Sequence, residues 1–257
     1  MFDNQKKYRA TTLETQKDIE CQTNELQQLQ KSAGTNILKL LGHYRQQITR
    51  PVRVNGETRL ETKMYDVYVT EQMEFDLKKF MQEGPAGMNR VTTFSLITQL
   101  LNGVKHMKTC NISHNDLKPS NVLLKIIPGD WDVDVELSIG DLGMAEISGG
   151  TPGWPAPEFL KGTIPGVSDV YTAGLVILYL LTVKRPDTTS VNCSENEPPA
   201  DLFYMLRDNV CEINDSDRQN IFEKFPELEL IGRMLEVDPT KRISIEDAIN
   251  EWKKLGN

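Results

Sequence analysis

Basic charge is in short supply in this chain. It has 29 basic residues against 37 acidic ones, a net charge of −8. A general nucleic-acid binder shows a basic footprint, so that class is excluded. A single anionic ligand such as a nucleotide is not, because a local site can be basic inside an acidic protein. Cysteine is scarce and scattered. Cys21, Cys110, Cys193 and Cys211 form no C-x-x-C pair and stand near no histidine cluster. That excludes a zinc site and a disulfide framework, and it fits a reducing compartment. Long hydrophobic runs are missing. The longest, "AGLVILYLL" from Ala173 to Leu181, is about half a membrane span and reads as a buried helix. The opening "MFDNQKKYRATT" has no apolar core of a signal peptide, so the expectation is a cytoplasmic protein. The first glycine in the chain is Gly34.

What is there is an ordinary globular composition, 39% hydrophobic and 26% charged. A length of 257 residues suits one large domain or two lobes sharing an interface. Repeats and low-complexity tracts are absent, and the N-x-S/T triplets at Asn111, Asn192 and Asn214 read as chance. Residues 13–31 place Ile19, Leu26 and Leu29 on one narrow stripe of a polar helix. Asn55-Gly56 between Val52/Val54 and Thr58/Leu60 predicts a two-residue hairpin, and Met64 to Thr70 reads as another strand. From Glu74 onward the pattern turns helical. Phe94, Ile97, Leu101 and Val104 share a helix face, widened by Leu100 and Met107. Val170 to Leu181 is apolar all round, as in a helix inside a lobe. Ser244 and Asp247 form a capping box before Ala248, Ile249 and Trp252. The expected architecture is α+β and bilobal. A reduced strand-rich lobe with one helix covers residues 1–73, and a larger helical lobe covers residues 74–257.

The stretch "SHNDLKPSNVLL" crowds polar chemistry against an apolar run. The crowding suits a phosphate and metal ions. Phosphoryl transfer needs an acceptor hydroxyl held in line, a base near its proton, and cations along the transferring charge. Asp116 is suited to take or orient the proton. Lys118, two residues on, points to the same side of an extended segment and can meet phosphoryl oxygens. Asn121 offers a neutral oxygen to Mg²⁺, and Asp141 in "LSIGDLG" offers the second, anionic ligand.

These residues carry a resemblance. "HNDLKPSN" and "DLG" resemble the catalytic loop and the metal-binding triplet of eukaryotic protein kinases. "GTPGWPAPEFL", "SDVYTAGLVILYLLT" and "MLEVDPTKRISIEDAI" are similar to further kinase blocks, in the right order, and "VYVTEQMEFDLKKFM" is similar to a kinase hinge and the helix after it. The resemblance implies a serine/threonine protein kinase using ATP and Mg²⁺ on a protein substrate, with no nucleic-acid partner and no membrane span. It gives Asp116 and Lys118 catalytic roles, Asn121 and Asp141 the metal, and Thr151 a place on the substrate side in contact with Asp116 and Lys118. Leu123 would lie beneath the base, Thr70 at the back of the pocket, and Glu71 to Met73 would offer hinge backbone. His114 is implied to pack beside Leu142, Glu158 to pair with Arg242, and Asp169 to hold the catalytic-loop backbone.

The chain departs from the family in its first lobe. With no glycine before Gly34, the glycine-rich loop that covers the phosphates is absent. Glu25 stands where the helix glutamate belongs, and Lys6, with Lys7 close behind, is the candidate phosphate anchor. Asn4 takes the place of an alanine expected against the adenine. Asn115 replaces the arginine that reads an activating phosphate, and between Asp141 and Glu158 the only hydroxyls are Ser148 and Thr151. Constitutive activity, or control by a regulatory partner protein, is the expectation. The rival expectation is a pseudokinase scaffold. A small-molecule kinase is disfavoured by "APEF", Arg242 and Thr151.

Overall fold

The computed structural model describes residues 6–10, 24, 26–54, 56–83, 90–128, 133–142, 151, 153–162, 164–182 and 226–256. The first lobe is built on a three-stranded antiparallel sheet of β1 (Lys6–Ala10), β2 (Leu40–Val54) and β3 (Glu57–Glu71), in the order β1-β3-β2. The β2–β3 register runs from Gly42↔Val69 to Val54↔Glu57, so the connection is the two residues Asn55 and Gly56. Gly56 has φ +85°, a value a side chain would resist. Met64 to Thr70 is not a separate strand: it is the second half of β3, which contains no glycine or proline to break it. Cross-strand pairs hold the ribbon, with the His43 and Tyr68 rings stacked at 5.2 Å and Thr49 bonded to Thr62 at 2.9 Å.

The helical stripe expected over 13–31 is seen in its last part, α1 (26–31), where Leu29 is buried; Ile19 lies outside the described residues. After α1 the chain crosses to the second lobe. Ile139 N–H donates to the Asn36 carbonyl at 2.8 Å, and Leu38 N–H to the Ile139 carbonyl at 2.9 Å. Asn36, at φ +60°, donates its amide to the Leu137 carbonyl at 2.9 Å.

The second lobe is not helical throughout. A small sheet of β4 (Phe75–Asp76), β5 (Val122–Pro128) and β6 (Val133–Ile139) sits at its face to the first lobe. The runs "VLLKIIP" and "VDVELSI" are short and rich in β-branched residues, which favours strands over helix. α2 (Leu77–Glu83) and α3 (Arg90–Thr109) pack on it, and α4 (Ser168–Thr182), α5 (Pro226–Met234) and α6 (Ile245–Leu255) pack on α3 and on one another. On α3, Leu96, Ile97, Leu100, Leu101, Val104 and Met107 are buried. Each such side chain is worth about 1.5–3 kcal/mol on burial, far more than helix propensity. α4 is buried on every side from Val170 to Leu180. α6 starts at its capping serine, where Ser244 Oγ accepts from Asp247 N–H at 3.1 Å and donates to the Asp247 carboxylate at 2.7 Å. It docks on α3 through Trp252, stacked on Phe94 at 5.0 Å. No helix among the described residues is long and apolar enough to cross a membrane.

Candidate active site

Between α3 and β5 the chain makes a short 3-10 turn at Pro119–Asn121, entered from an extended Lys118 (φ −156°, ψ 168°). The proline has no N–H to lose there, and Asn121 N–H closes the turn on the Lys118 carbonyl at 2.9 Å. This geometry converges three polar side chains. Lys118 Nζ donates to Asp116 Oδ2 at 2.8 Å. Asn121 Nδ2 donates to the Asp116 carbonyl at 2.8 Å and to Oδ2 at 3.3 Å. Thr151 completes the group from a distant segment. Its N–H and Oγ1 both donate to Asp116 Oδ1 at 2.7 Å, and its Oγ1 accepts from Lys118 Nζ at 2.5 Å. Thr151 is presented by a tight turn, with Trp154 N–H on the Thr151 carbonyl at 3.1 Å and Gly153 at φ +86°. A positive φ at that position of a turn favours glycine.

The loop is held from below by α4. Asp169 is buried, and both its oxygens accept from His114 N–H, at 3.0 and 3.2 Å. Burial raises its carboxyl to about 7, against the opposing pull of the His114 and Asn115 N–H groups. His114 is also fully buried, which holds its pKa below the ordinary value although the Gly140 carbonyl and nearby carboxylates pull upward. Its ring bonds define the neutral form: Nε2 lies 3.0 Å from the Gly140 carbonyl, and Nδ1 accepts from Asp116 N–H at 3.3 Å. The imidazole is thus tied to the residue before Asp141. Asn115 and Asp141 have φ +66° and +60°, a region that asparagine and aspartate tolerate better than most side chains.

Asp141 follows β6. Gly140 N–H donates to the Asn121 carbonyl at 2.9 Å, so one backbone bond joins the segments carrying Asn121 and Asp141. Among the described residues there is no group of three or more His, Cys, Asp and Glu around a common point. One carboxylate and one amide oxygen suit a hard cation that keeps waters and phosphate oxygens, as Mg²⁺ does.

Beneath the site, Glu158 and Arg242 form a buried two-bond ion pair at 2.6 and 2.9 Å. Burial alone would push the Glu158 carboxyl up. Bonds from Arg242, a backbone N–H and Ser168, with the guanidinium charge, bring it below its usual value.

A cavity of about 290 Å³ opens between the lobes. It is lined by Thr70, Glu71, Met73 and Leu123, the residues singled out from the sequence around the base. The Glu71 carboxylate accepts from Lys39 N–H at 2.8 Å, and its own N–H donates to the Lys39 carbonyl at 3.0 Å. Leu38, Asp76, Lys79 and Ser120 also line the cavity and were not expected there. A faint signal existed for two of them: Asp76 caps α2, accepting from Lys79 N–H at 2.7 Å, an i, i+3 spacing at a helix start. In the first lobe, Lys6 pairs with Glu71 and Lys7 with Thr70 along β1–β3. The side chain of Lys6, and Asn4, Glu25 and Ser148 altogether, lie outside the described residues.

Comparison with known proteins agrees with this geometry. A protein kinase domain matches residues 3–252. The DNA damage response protein kinase DUN1 of Saccharomyces cerevisiae is 29% identical over 181 residues, 61% of this chain and 33% of that protein. Mitogen-activated protein kinase 6 of Arabidopsis thaliana is 27% identical over 241 residues, 82% of this chain and 59% of its own length. Serine/threonine-protein kinase DCLK3 of Mus musculus is 29% identical over 210 residues, 75% of this chain and 25% of that protein. The chain therefore spans between a quarter and three fifths of the length of these relatives. With the domain matched over nearly its whole length and the lobes and loop arranged as described, the chain belongs to the eukaryotic protein kinase superfamily.

Proposed function

We propose that the chain is an active serine/threonine protein kinase, transferring the γ-phosphate of ATP to a protein hydroxyl. The observation that carries the reading is the Asp116–Lys118–Thr151–Asn121 network, which joins two distant segments around one carboxylate. Asp116 orients the acceptor hydroxyl and receives its proton. All the bonds to its two oxygens are made within the protein, two at Oδ1 from Thr151 and two at Oδ2 from Lys118 and Asn121. A carboxylate has about four lone-pair sites, so the acceptor hydroxyl must displace one donor. Lys118 is the donor free to leave, because turning its ammonium to the phosphoryl oxygens gains a charged partner. Thr151 keeps the carboxylate oriented meanwhile. Asn121 and Asp141 would hold Mg²⁺, which supplies neutralising charge along the phosphates.

The base would rest on Leu123 in the cavity between a lobe of residues 1–73 and one of 74–257, with Glu71 and Met73 giving backbone contacts. Glu25 and a lysine of β1 would anchor phosphate. Directly opposite residues in an antiparallel pair share a face, and the position opposite the cavity-lining Thr70 belongs to Lys7 rather than Lys6. Both lysines are therefore candidates. Nucleotide binding should depend on Mg²⁺.

The test is incubation of the chain with Mg·ATP and a generic protein substrate, beside Asp141→Ala and Asp116→Asn controls. Asp116→Asn should lower kcat by about 10²-fold or more, the scale of a lost general base, with the fold intact. The rival reading is a pseudokinase scaffold, in keeping with an Asp116 carboxylate already engaged by four bonds within the protein. No transfer and no nucleotide binding at millimolar Mg·ATP would establish that reading in place of the first.

A further inference from the structure

The turn between α1 and β2 is gripped by a side chain from the other lobe. His106, on α3, places Nε2 at 3.2 Å from the Ser32 carbonyl. An N–H on Nε2 donates there, an assignment made from the bond itself. Ser32 is fully buried and terminates α1: its N–H and its hydroxyl both donate to the Gln28 carbonyl, at 2.8 and 2.6 Å. His106 is thus bonded to the residue that closes the helix. Two positions on, Gly34 lies so close to the same ring that a Cβ added there would stand 2.3 Å from Nε2 and 2.4 Å from Cε1. Real side-chain carbons do not approach that closely, so the ring and the bare glycine backbone form one fitted contact. Cys110 Sγ lies 3.7 Å from the same ring nitrogen, and Lys31 Nζ donates to the Asn111 carbonyl at 3.3 Å, so α1 is tied to the end of α3 at more than one point.

Filling space alone would be served by an apolar ring. A hydrogen bond to the carbonyl of the helix-ending residue does something more specific, because it fixes where α1 stops and along which direction it leaves. We infer that His106 is a positioning residue. By gripping the Ser32–Gly34 turn, it sets α1 against α3, and through α1 the segment from which Glu25 would reach the nucleotide. The part concerning Glu25 rests on the kinase reading above, and the grip itself does not.

The test has two arms. In the first, urea unfolding is compared for wild type, Gly34→Ala, His106→Ala and the double variant. Gly34→Ala should shift the folding equilibrium by about tenfold or more, the scale of overpacking, and most of that loss should vanish when His106 is already alanine. Additive losses would overturn the grip. In the second arm, amide exchange over residues 26–34 and Mg·ATP affinity by calorimetry are measured for His106→Phe and His106→Gln. Phenylalanine fills the space without a donor, while glutamine restores one. His106→Phe should speed exchange by about tenfold and weaken Mg·ATP binding by about threefold to tenfold, and His106→Gln should recover most of both. Exchange that changes while nucleotide affinity does not would reduce His106 to a structural contact and overturn the positioning role. A wild type that binds no Mg·ATP would instead remove the kinase reading, and with it the Glu25 clause, leaving the exchange and coupling data to decide the grip.

Discussion

Removing one partner of the Glu158–Arg242 pair should be among the costliest single changes available in this chain. The Arg242 side chain is 0% exposed and that of Glu158 8%, so neither charge can reach water when its partner goes. In Glu158→Ala, two charge-assisted bonds of 2.6 and 2.9 Å are lost. The guanidinium keeps its bonds to the Glu236 and Val167 carbonyls, at 2.9 and 3.0 Å, and its place over the Tyr171 ring. It cannot leave, and breaking a buried pair in this way typically costs about 3–5 kcal/mol. Ser168, whose hydroxyl donates to Glu158 Oε1 at 2.9 Å, loses an acceptor as well. A domain of this size is stable by roughly 5–15 kcal/mol, so the variant should retain only a thin margin. Arg242→Met should cost as much, because it strands the carboxylate and two carbonyls. The double variant Glu158→Ala/Arg242→Met should lose less than the sum, with a coupling of about 2 kcal/mol or more, since no unpaired charge remains. Urea unfolding followed by circular dichroism at neutral pH measures all four proteins. The sign of the pH effect follows from the lowered Glu158 pKa: its stabilisation is present above the ordinary carboxylate range and is lost as pH falls through the folded value. The gap between wild type and Glu158→Ala should therefore persist across neutral pH and close only in acid. A cost below about 1 kcal/mol for either single variant, or additive costs in the cycle, would refute the reasoning.

Asp169→Asn should gain stability relative to wild type by about 2–3 kcal/mol as pH rises from about 5 to 8, because the wild-type carboxyl, raised to about 7, has its favourable protonated state below that pH and loses it above; paired thermal melts across that range check the sign. Gly153→Ala should cost about 1–2 kcal/mol for its φ of +86°, with Gly153→Asn recovering part of it, read by urea unfolding and by the rate of protein phosphorylation. Thr151→Val removes the hydroxyl that Asp116 and Lys118 share; it should lower kcat by about tenfold or more while leaving nucleotide affinity unchanged, and an equal loss in affinity would argue against the assigned role. Ser244→Ala should cost about 1 kcal/mol by uncapping α6, measurable as a shift in the urea midpoint.

Legibility in the sequence followed chemistry that acts locally. The Asn55-Gly56 hairpin, the apolar face of α3, the all-round burial of α4 and the Ser244 cap each depend on neighbours within a few residues, so spacing alone was enough to read them. The second sheet was missed because β5 and β6 are seven residues each, too short for periodicity to separate strand from buried helix. The run Met64 to Thr70 was read as separate because its partner residues on β2 lie beyond any local window. In the site, Asp116, Lys118 and Asn121 stand close together in the chain and could be named from it. Leu38 and Ser120 meet the Asp76–Lys79 turn only around a cavity between lobes, and no linear spacing announces that meeting.

By itself the sequence determined which segments are helix or hairpin and which residue types carry the chemistry. Only the tertiary structure decided that the N–H and the hydroxyl of Thr151, 35 residues from Asp116, converge on the same carboxylate oxygen. It likewise decided that a neutral His114 ties the loop to Gly140, and that His106 grips the turn after α1. The physical reason is one of range. Turn, cap and helix preferences are set by the backbone within a few residues, whereas hydrogen-bond partners across 26 to 84 positions exist only after burial has brought the lobes and their loops into contact.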